Sequence, residues 1–311
     1  MTTALITNPD AERHQTPPGH PERPARMEAL RDALAGPDFA NLAREEAPMG
    51  TEDDVLRCHA PEHVARIRAA LPARGTAALD ADTHVAAGSM EAALRGVGGM
   101  ARAVEMVLGG AAANAFVATR PPGHHAERNR TMGFCLFGNV AIAAKIALDL
   151  HGLDRVAILD FDVHHGNGTQ DLLWDEPRIR FVSTHQMPLW PGSGAPGERG
   201  AHDQIRNIPL EPGAGSAPFH AAIEDEALPF LDDFAPELVL VSAGFDAHRA
   251  DPLAQLMLDV EDFAWMTARI CDIADAHAGS RVVSALEGGY DLGALAASAA
   301  AHVEQLMERG A

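Results

Sequence analysis

A few short stretches concentrate the residue types that do chemistry in this 311-residue chain. The densest is Asp160-Phe-Asp-Val-His-His165, broken at once by Gly166-Asn-Gly168. In an extended segment side chains alternate, which predicts Asp162 and His164 on one side. A carboxylate and an imidazole converging in this way are two-thirds of a catalytic metal site. Asp246, in Gly244-Phe-Asp-Ala-His248, supplies the missing third ligand. Two carboxylates and one neutral imidazole leave a divalent site without net charge. Such an ion is a milder Lewis acid than one held by three histidines, so other groups must help to stabilise a developing oxyanion. Zn²⁺ is the default, while oxygen-rich ligation also admits Fe²⁺, Co²⁺ or Mn²⁺.

Arg120-Pro-Pro-Gly-His-His125 offers His124 and His125 as proton handlers, since imidazole titrates near neutrality. Adjacent imidazoles resist charging together, so one is expected to carry protons while the other tunes the field. Tyr290, the chain's single tyrosine, follows Gly288-Gly289 and can donate a hydrogen bond to a carbonyl oxygen opposite the ion. Phe134 and Trp190 are candidates for the walls of a narrow apolar channel. Each signal alone has a bland reading: a solvated turn, a loop doublet, a turn tyrosine, ordinary packing. Their placement along the chain decides.

Strand patterns fall at Thr3 to Thr7, Ala115 to Thr119, Val156 to Asp160, Ile179 to Ser183, Leu238 to Ser242 and Val282 to Leu286. Helical patterns fall near Ala25 to Leu34, Thr51 to Cys58, Pro61 to Leu71, Ser89 to Leu108, Asn139 to Leu150, Ala217 to Leu231, Val260 to His277 and Leu292 to Met307. Gly96, Gly98 and Gly99 inside the fourth of these point to close packing. Alternating strands and helices imply crossover units around a mostly parallel sheet, an α/β fold. No repeat or polar linker divides the chain, so residues 1–311 read as a single domain. The chemical clusters each follow a strand: His124-His125, Asp160 to His165, Thr184-His185 in the loop after the Ile179 strand, Asp246 and Tyr290. Ligands of open α/β sheets bind beyond the strands' carboxyl ends, so these clusters are expected to share one crevice.

Lys plus Arg number 24 against 44 Asp plus Glu, a formal charge of −20 that argues against direct nucleic-acid binding. Cys58, Cys135 and Cys271 form no Cys-x-x-Cys pair, which fits a reducing cytoplasm and excludes a thiolate zinc knuckle. Residues 1–10 lack a secretory signal pattern, and no apolar run is long enough for a membrane span.

Arg-Pro-Pro-Gly-His-His-Ala at 120–126, Met-Gly-Phe-Cys at 132–135, Asp-Phe-Asp-Val-His-His-Gly-Asn-Gly-Thr-Gln at 160–170, Ser-Ala-Gly-Phe-Asp-Ala at 242–247 and Leu-Glu-Gly-Gly-Tyr at 286–290 together resemble the zinc-dependent histone deacetylase and acetylpolyamine amidohydrolase superfamily. Class II-type and bacterial deacetylase-like members are the nearest branches. The likeness runs in order from His20-Pro-Glu-Arg23 to the final helix. It implies the arginase–deacetylase fold and zinc-dependent hydrolysis of an N-acetyl amide, with an acyl-lysine peptide or a small acyl-amine as substrate. It implies Asp162, His164 and Asp246 as zinc ligands, His125 as general base and acid, His124 backed by Asp160 as its electrostatic partner, and Tyr290 as the carbonyl-polarising phenol. Gly133, Phe134 and Trp190 fall on the channel, where Trp190 replaces the family's usual phenylalanine, and Leu253 falls at a rim position. A monovalent cation, usually K⁺, maps to Asp160, Asp162, His164, Ser183 and Thr184.

Asn167 stands where some branches carry an aspartate, which implies a lower His125 pKa. His248 reads as a rim residue; the binuclear ureohydrolase relatives carry an aspartate there and a second where this chain has Gly166. Three rivals accompany this reading: an acetylpolyamine deacetylase, an acyl-lysine binder without turnover, and a binuclear hydrolase of guanidino substrates. A homo-oligomer is left open.

Overall fold

The sheet's central strands are almost pure apolar runs, and a strand of that kind is stable only when both its faces are covered. The computed structural model describes residues 2–310. Strands β1 (Thr3–Thr7), β2 (Ala43–Glu46), β5 (Asn114–Ala118), β6 (Val156–Asp160), β7 (Ile179–Gln186), β8 (Ile205–Leu210), β9 (Leu238–Ala243) and β10 (Val282–Leu286) form one eight-stranded sheet, ordered β2-β1-β5-β10-β9-β6-β7-β8. Every neighbouring pair in it is parallel. A separate antiparallel pair, β3 (Thr76–Ala78) and β4 (His84–Ala86), lies in the loop before the longest helix.

The helices are α1 (Ala25–Ala33), α2 (Glu52–Val55), α3 (Pro61–Ala70), α4 (Ser89–Leu108), α5 (Asn139–His151), α6 (Asn167–Leu172), α7 (Ser216–Ala222), α8 (Leu228–Asp232), α9 (Val260–His277) and α10 (Leu292–Gly310). Strand alternation builds two cores. On β6, Ala157 and Leu159 join α1, α9 and α10 through Met27, Phe263, Met266 and Leu295. Val156 and Ile158 face α4 and α5 through Val97, Met100, Val140 and Ile142. The result is a single domain, a three-layer α/β sandwich.

Several expected boundaries differ. The edge strands β2 and β8 escape a propensity reading, because Ala43-Arg-Glu-Glu46 is polar and Pro209 interrupts β8. An edge strand tolerates both, since one side of its ladder faces no neighbour. Strand β7 continues to Gln186, so Thr184 and His185 lie inside it rather than in the following loop. The single helix expected over Ala217 to Leu231 is two helices joined by a π turn at Ile223–Ala227. The helix expected over Thr51 to Cys58 is one capped turn, with Thr51 and Asp54 forming the capping box.

Candidate active site

Parallel strands all end on one side, and that side gathers the clusters. Asp160 is the last residue of β6, Asp246 lies just past β9, Tyr290 just past β10, and His124-His125 a short loop past β5. Asp162 and His164 do not converge by strand alternation, because the chain bends from Asp162 to His164. Instead Asp160 Oδ1 accepts from the Asp162 N–H at 3.1 Å, and Asp162 Oδ1 accepts from the His164 N–H at 3.0 Å. Two successive aspartate-capped turns thus swing both side chains inward.

One ligand atom each of Asp162, His164 and Asp246 lies within 4.8 Å of the others, and all three residues are buried. His164 Nδ1 sits 3.2 Å from Asp162 Oδ1 and 3.0 Å from Asp246 Oδ2. The carboxylates are oriented from behind: Val163 N–H donates to Asp246 Oδ1 at 2.8 Å and Gly288 N–H to Asp162 Oδ2 at 2.8 Å. A Cβ on Gly244 would strike Asp162, and one on Gly288 would strike Asp246. Burial by itself would disfavour charge on His164, but its bonds to Asp162 and Asp246 outweigh that and lift its pKa to about 10. Burial, with the Asp162 charge, pushes Asp246 up to about 7. Two anionic oxygens and an imidazole nitrogen, dry and fixed from outside, are a donor set that fits a divalent cation of the zinc type.

The two histidines have different partners. His124 Nδ1 donates to Asp160 Oδ2 at 2.9 Å, and its Nε2 lies 3.7 Å from Asp162 Oδ2. Burial works against its charge, yet Asp162 and Asp160 prevail and raise its pKa well above the ordinary value. Burial lowers His125, and the neighbouring His124 and His164 lower it further. Asn167 Nδ2 donates to Glu127 Oε1 at 2.8 Å, which leaves its Oδ1 to accept from His125 Nδ1 at 2.7 Å. His125 therefore keeps its Nε2 lone pair free, and the residue lines the cavity. Glu287, three residues before Tyr290 and given no role by the sequence motifs, accepts from Gly123 N–H at 2.6 Å and His124 N–H at 3.1 Å, fixing the histidine loop.

The cavity measures about 230 Å³ and is lined by Asp82, His125, Gly133, Phe134, His164, Leu189, Trp190, Leu253 and Tyr290. Trp190 stands edge-on to His125, ring centres 4.7 Å apart, and Phe134 edge-on to Tyr290 at 5.7 Å. Gly133 has φ +55°, and a Cβ there would collide with His125 and come within 2.6 Å of Trp190. Tyr290 is buried; its burial and the Asp246 charge keep the phenol protonated, its pKa well above 10. Arg26 lies 5.1 Å from the centre of the Tyr290 ring and donates to Gly289 O and Glu287 O. Asp82, Leu189 and Arg26 carried no sequence signal, because two loops and the first turn of α1, all remote in sequence, bring them here.

The remaining candidates are placed less centrally. His248 is neither a cavity-lining residue nor part of the ligand cluster; its Nδ1 accepts from Ala250 N–H at 3.1 Å. A Cβ on Gly166 would run into Asp160, so no carboxylate fits there for a second ion. Ser183 Oγ lies 3.5 Å from Gly166 N and 3.0 Å from His185 Nδ1, while Thr184 Oγ1 is buried with no hydrogen-bond partner among the described residues.

The strand ends of this parallel α/β sandwich thus gather a buried carboxylate–imidazole cluster, two histidines and a phenol. Residues 20–306 match the histone deacetylase domain, and the chain belongs to that family. It is 44% identical over 308 residues to an uncharacterized protein of Synechocystis sp., covering 98% of this chain and 99% of that one. It is 39% identical over 277 residues to a histone deacetylase-like amidohydrolase of Pseudomonas aeruginosa, covering 88% of this chain and 73% of that protein. The solved HDA15 HD domain superposes with a TM-score of 0.93 at 31% identity, covering 99% of this chain and 89% of that one. The arginase–deacetylase fold and deacetylase-family membership thus stand on sequence and structure together.

Proposed function

We propose that this chain is a zinc-dependent deacetylase that removes an acetyl or similar small acyl group from the ε-amine of acyl-lysine or from a small acyl-amine. The observation that carries the reading is one cavity lined by the His125 imidazole and the Tyr290 phenol beside the Asp162–His164–Asp246 cluster. Those three residues would hold a divalent cation, which would supply Lewis acidity toward the amide carbonyl and toward an attacking water. His125 Nε2 takes that water's proton and returns it to the leaving amine nitrogen. The Tyr290 hydroxyl donates to the carbonyl oxygen as negative charge grows on it. His124, charged between Asp160 and Asp162, discourages a resting proton on His125. Phe134 and Trp190 flank the alkyl stem and exclude water.

Zinc is the expected ion, with Fe²⁺ or Co²⁺ as substitutes, and K⁺ at Asp160, Asp162, His164, Ser183 and Thr184 completes the proposed ion set. The buried free thiols Cys58, Cys135 and Cys271 support a reducing, cytoplasmic setting, and no described helix is long and apolar enough to cross a membrane.

The test is a panel of acyl-lysine peptides and small acyl-amines with wild type and Tyr290→Phe. The variant is expected to retain about one zinc per chain and lose about two orders of magnitude in kcat. Tight hydroxamate binding without turnover of any substrate would count for a non-catalytic binder instead. Asp82 in the cavity lining favours one second reading, an acetylpolyamine deacetylase, because a carboxylate there can meet a distant ammonium. A preference of about a hundredfold or more in kcat/KM for N-acetylputrescine over an acetyl-lysine peptide would establish that alternative, a difference of ~2.7 kcal/mol in transition-state binding.

A further inference from the structure

We propose that Asp251 is a positioning residue that aims Tyr290 at the substrate carbonyl and ties that aim to the channel rim; the inference rests on the role given to Tyr290 above. Asp251 is buried, and all its side-chain hydrogen bonds come from backbone N–H groups. Its Oδ1 accepts from Leu253 N–H at 3.0 Å, an ordinary local turn. Its Oδ2 accepts from Tyr290 N–H at 2.7 Å and Asp291 N–H at 3.4 Å, residues far along the chain. A buried carboxylate is costly unless its oxygens are satisfied. Here they are satisfied by the turn that carries the phenol and by the residue at the rim.

The phenol's backbone needs such a hold. Gly288 and Gly289 precede Tyr290, and Gly289 has φ +118°, a conformation open chiefly to glycine. Two glycines give a turn with little stiffness of its own. Gly288 N–H is fixed on Asp162, and Gly289 O is fixed by Arg26 Nε at 2.7 Å. Tyr290 itself has one further tether at its N–H, and that tether is Asp251. Because Leu253 and Tyr290 both line the cavity, one carboxylate sets the rim and the phenol together.

The experiment is a double-mutant cycle on the zinc-loaded protein: wild type, Asp251→Ala, Tyr290→Phe and the double variant, with zinc content and kcat and KM on one acyl-lysine peptide. Asp251→Ala is expected to retain its zinc and lose about tenfold to a hundredfold in kcat with little change in KM. Within the Tyr290→Phe background the same change is expected to cost less than about twofold, since the phenolic donor is already gone. An equal loss in both backgrounds, or no loss in either, overturns the proposal while leaving the functional reading intact. An unaltered kcat in Tyr290→Phe overturns the functional reading and this proposal with it. If Asp251→Ala does not fold, Asp251→Asn keeps the volume and enters the same cycle. Amide hydrogen exchange on the wild type gives an independent check: slow exchange at Tyr290 is expected, and exchange as fast as in exposed loops overturns the proposal.

Discussion

A methyl group at position 288 would occupy space now held by the Asp246 carboxylate and come within 2.5 Å of Asp162 Oδ2. Gly288 also donates its N–H to Asp162. Gly288→Ala is therefore expected to weaken zinc binding by about tenfold to a hundredfold, read by competition with a chelating dye. The prediction separates a ligand cradle from a chance meeting of acids, because a solvated acidic turn would absorb a methyl group with little effect. At this scale the sequence was generous. Asp162, His164, Asp246, His124, His125 and Tyr290 were all named as candidates from residue type and motif, and the fold brings them to one side of the sheet. Glu287 and Asp251 were not, since each works by accepting backbone N–H groups remote in sequence, and a carboxylate that caps leaves no pattern.

Helix α4 shows how an element can invert a local preference. In a free helix, Gly→Ala stabilises by up to about 1 kcal/mol. Gly98 lies against the Pro48–Gly50 backbone, where a Cβ would collide with Pro48 O. Gly98→Ala is expected to destabilise by about 1 to 3 kcal/mol, read as a lower midpoint in chemical denaturation. A gain would show that the neighbouring loop yields readily. The glycines in this helix had pointed to close packing; the partner could not be named from sequence. The edge strands were illegible for a related reason. Ala43–Glu46 and Ile205–Leu210 become strands because β1 and β7 offer open ladders, rather than through intrinsic preference.

Across the whole molecule, several histidines are buried where protonation is unfavourable. His302 lies between Thr267 Oγ1 at 2.6 Å and Ser284 Oγ at 2.8 Å, and burial lowers its pKa to about 3. In the unfolded chain it titrates near 6.5. The unfolded state therefore binds more protons between those values. The stability contribution of the neutral imidazole is full above about 6.5 and is lost progressively as pH falls toward 3. His302→Gln is expected to lower Tm near pH 7.5 but to flatten the decline of Tm between pH 6.5 and 4. Parallel Tm curves for variant and wild type would refute it. Raised groups such as Asp246 and Glu287 act in the opposite direction, so the comparison of variant with wild type isolates His302.

The sequence by itself determined the α/β class, the parallel core strands and the family, and it named the candidate cation ligands and proton carriers. It could do so because those properties live in short windows: buried strands are apolar runs, and reactive side chains are few and distinctive. Only the tertiary structure decided how they are held. The bends that turn Asp162 and His164 inward, the free Nε2 of His125, the contribution of Asp82 and Leu189 to the cavity and the tether on Tyr290 all depend on hydrogen bonds and contacts between loops far apart in the chain. Such contacts form when eight parallel strands bring their carboxyl ends together, and no local stretch of sequence encodes them.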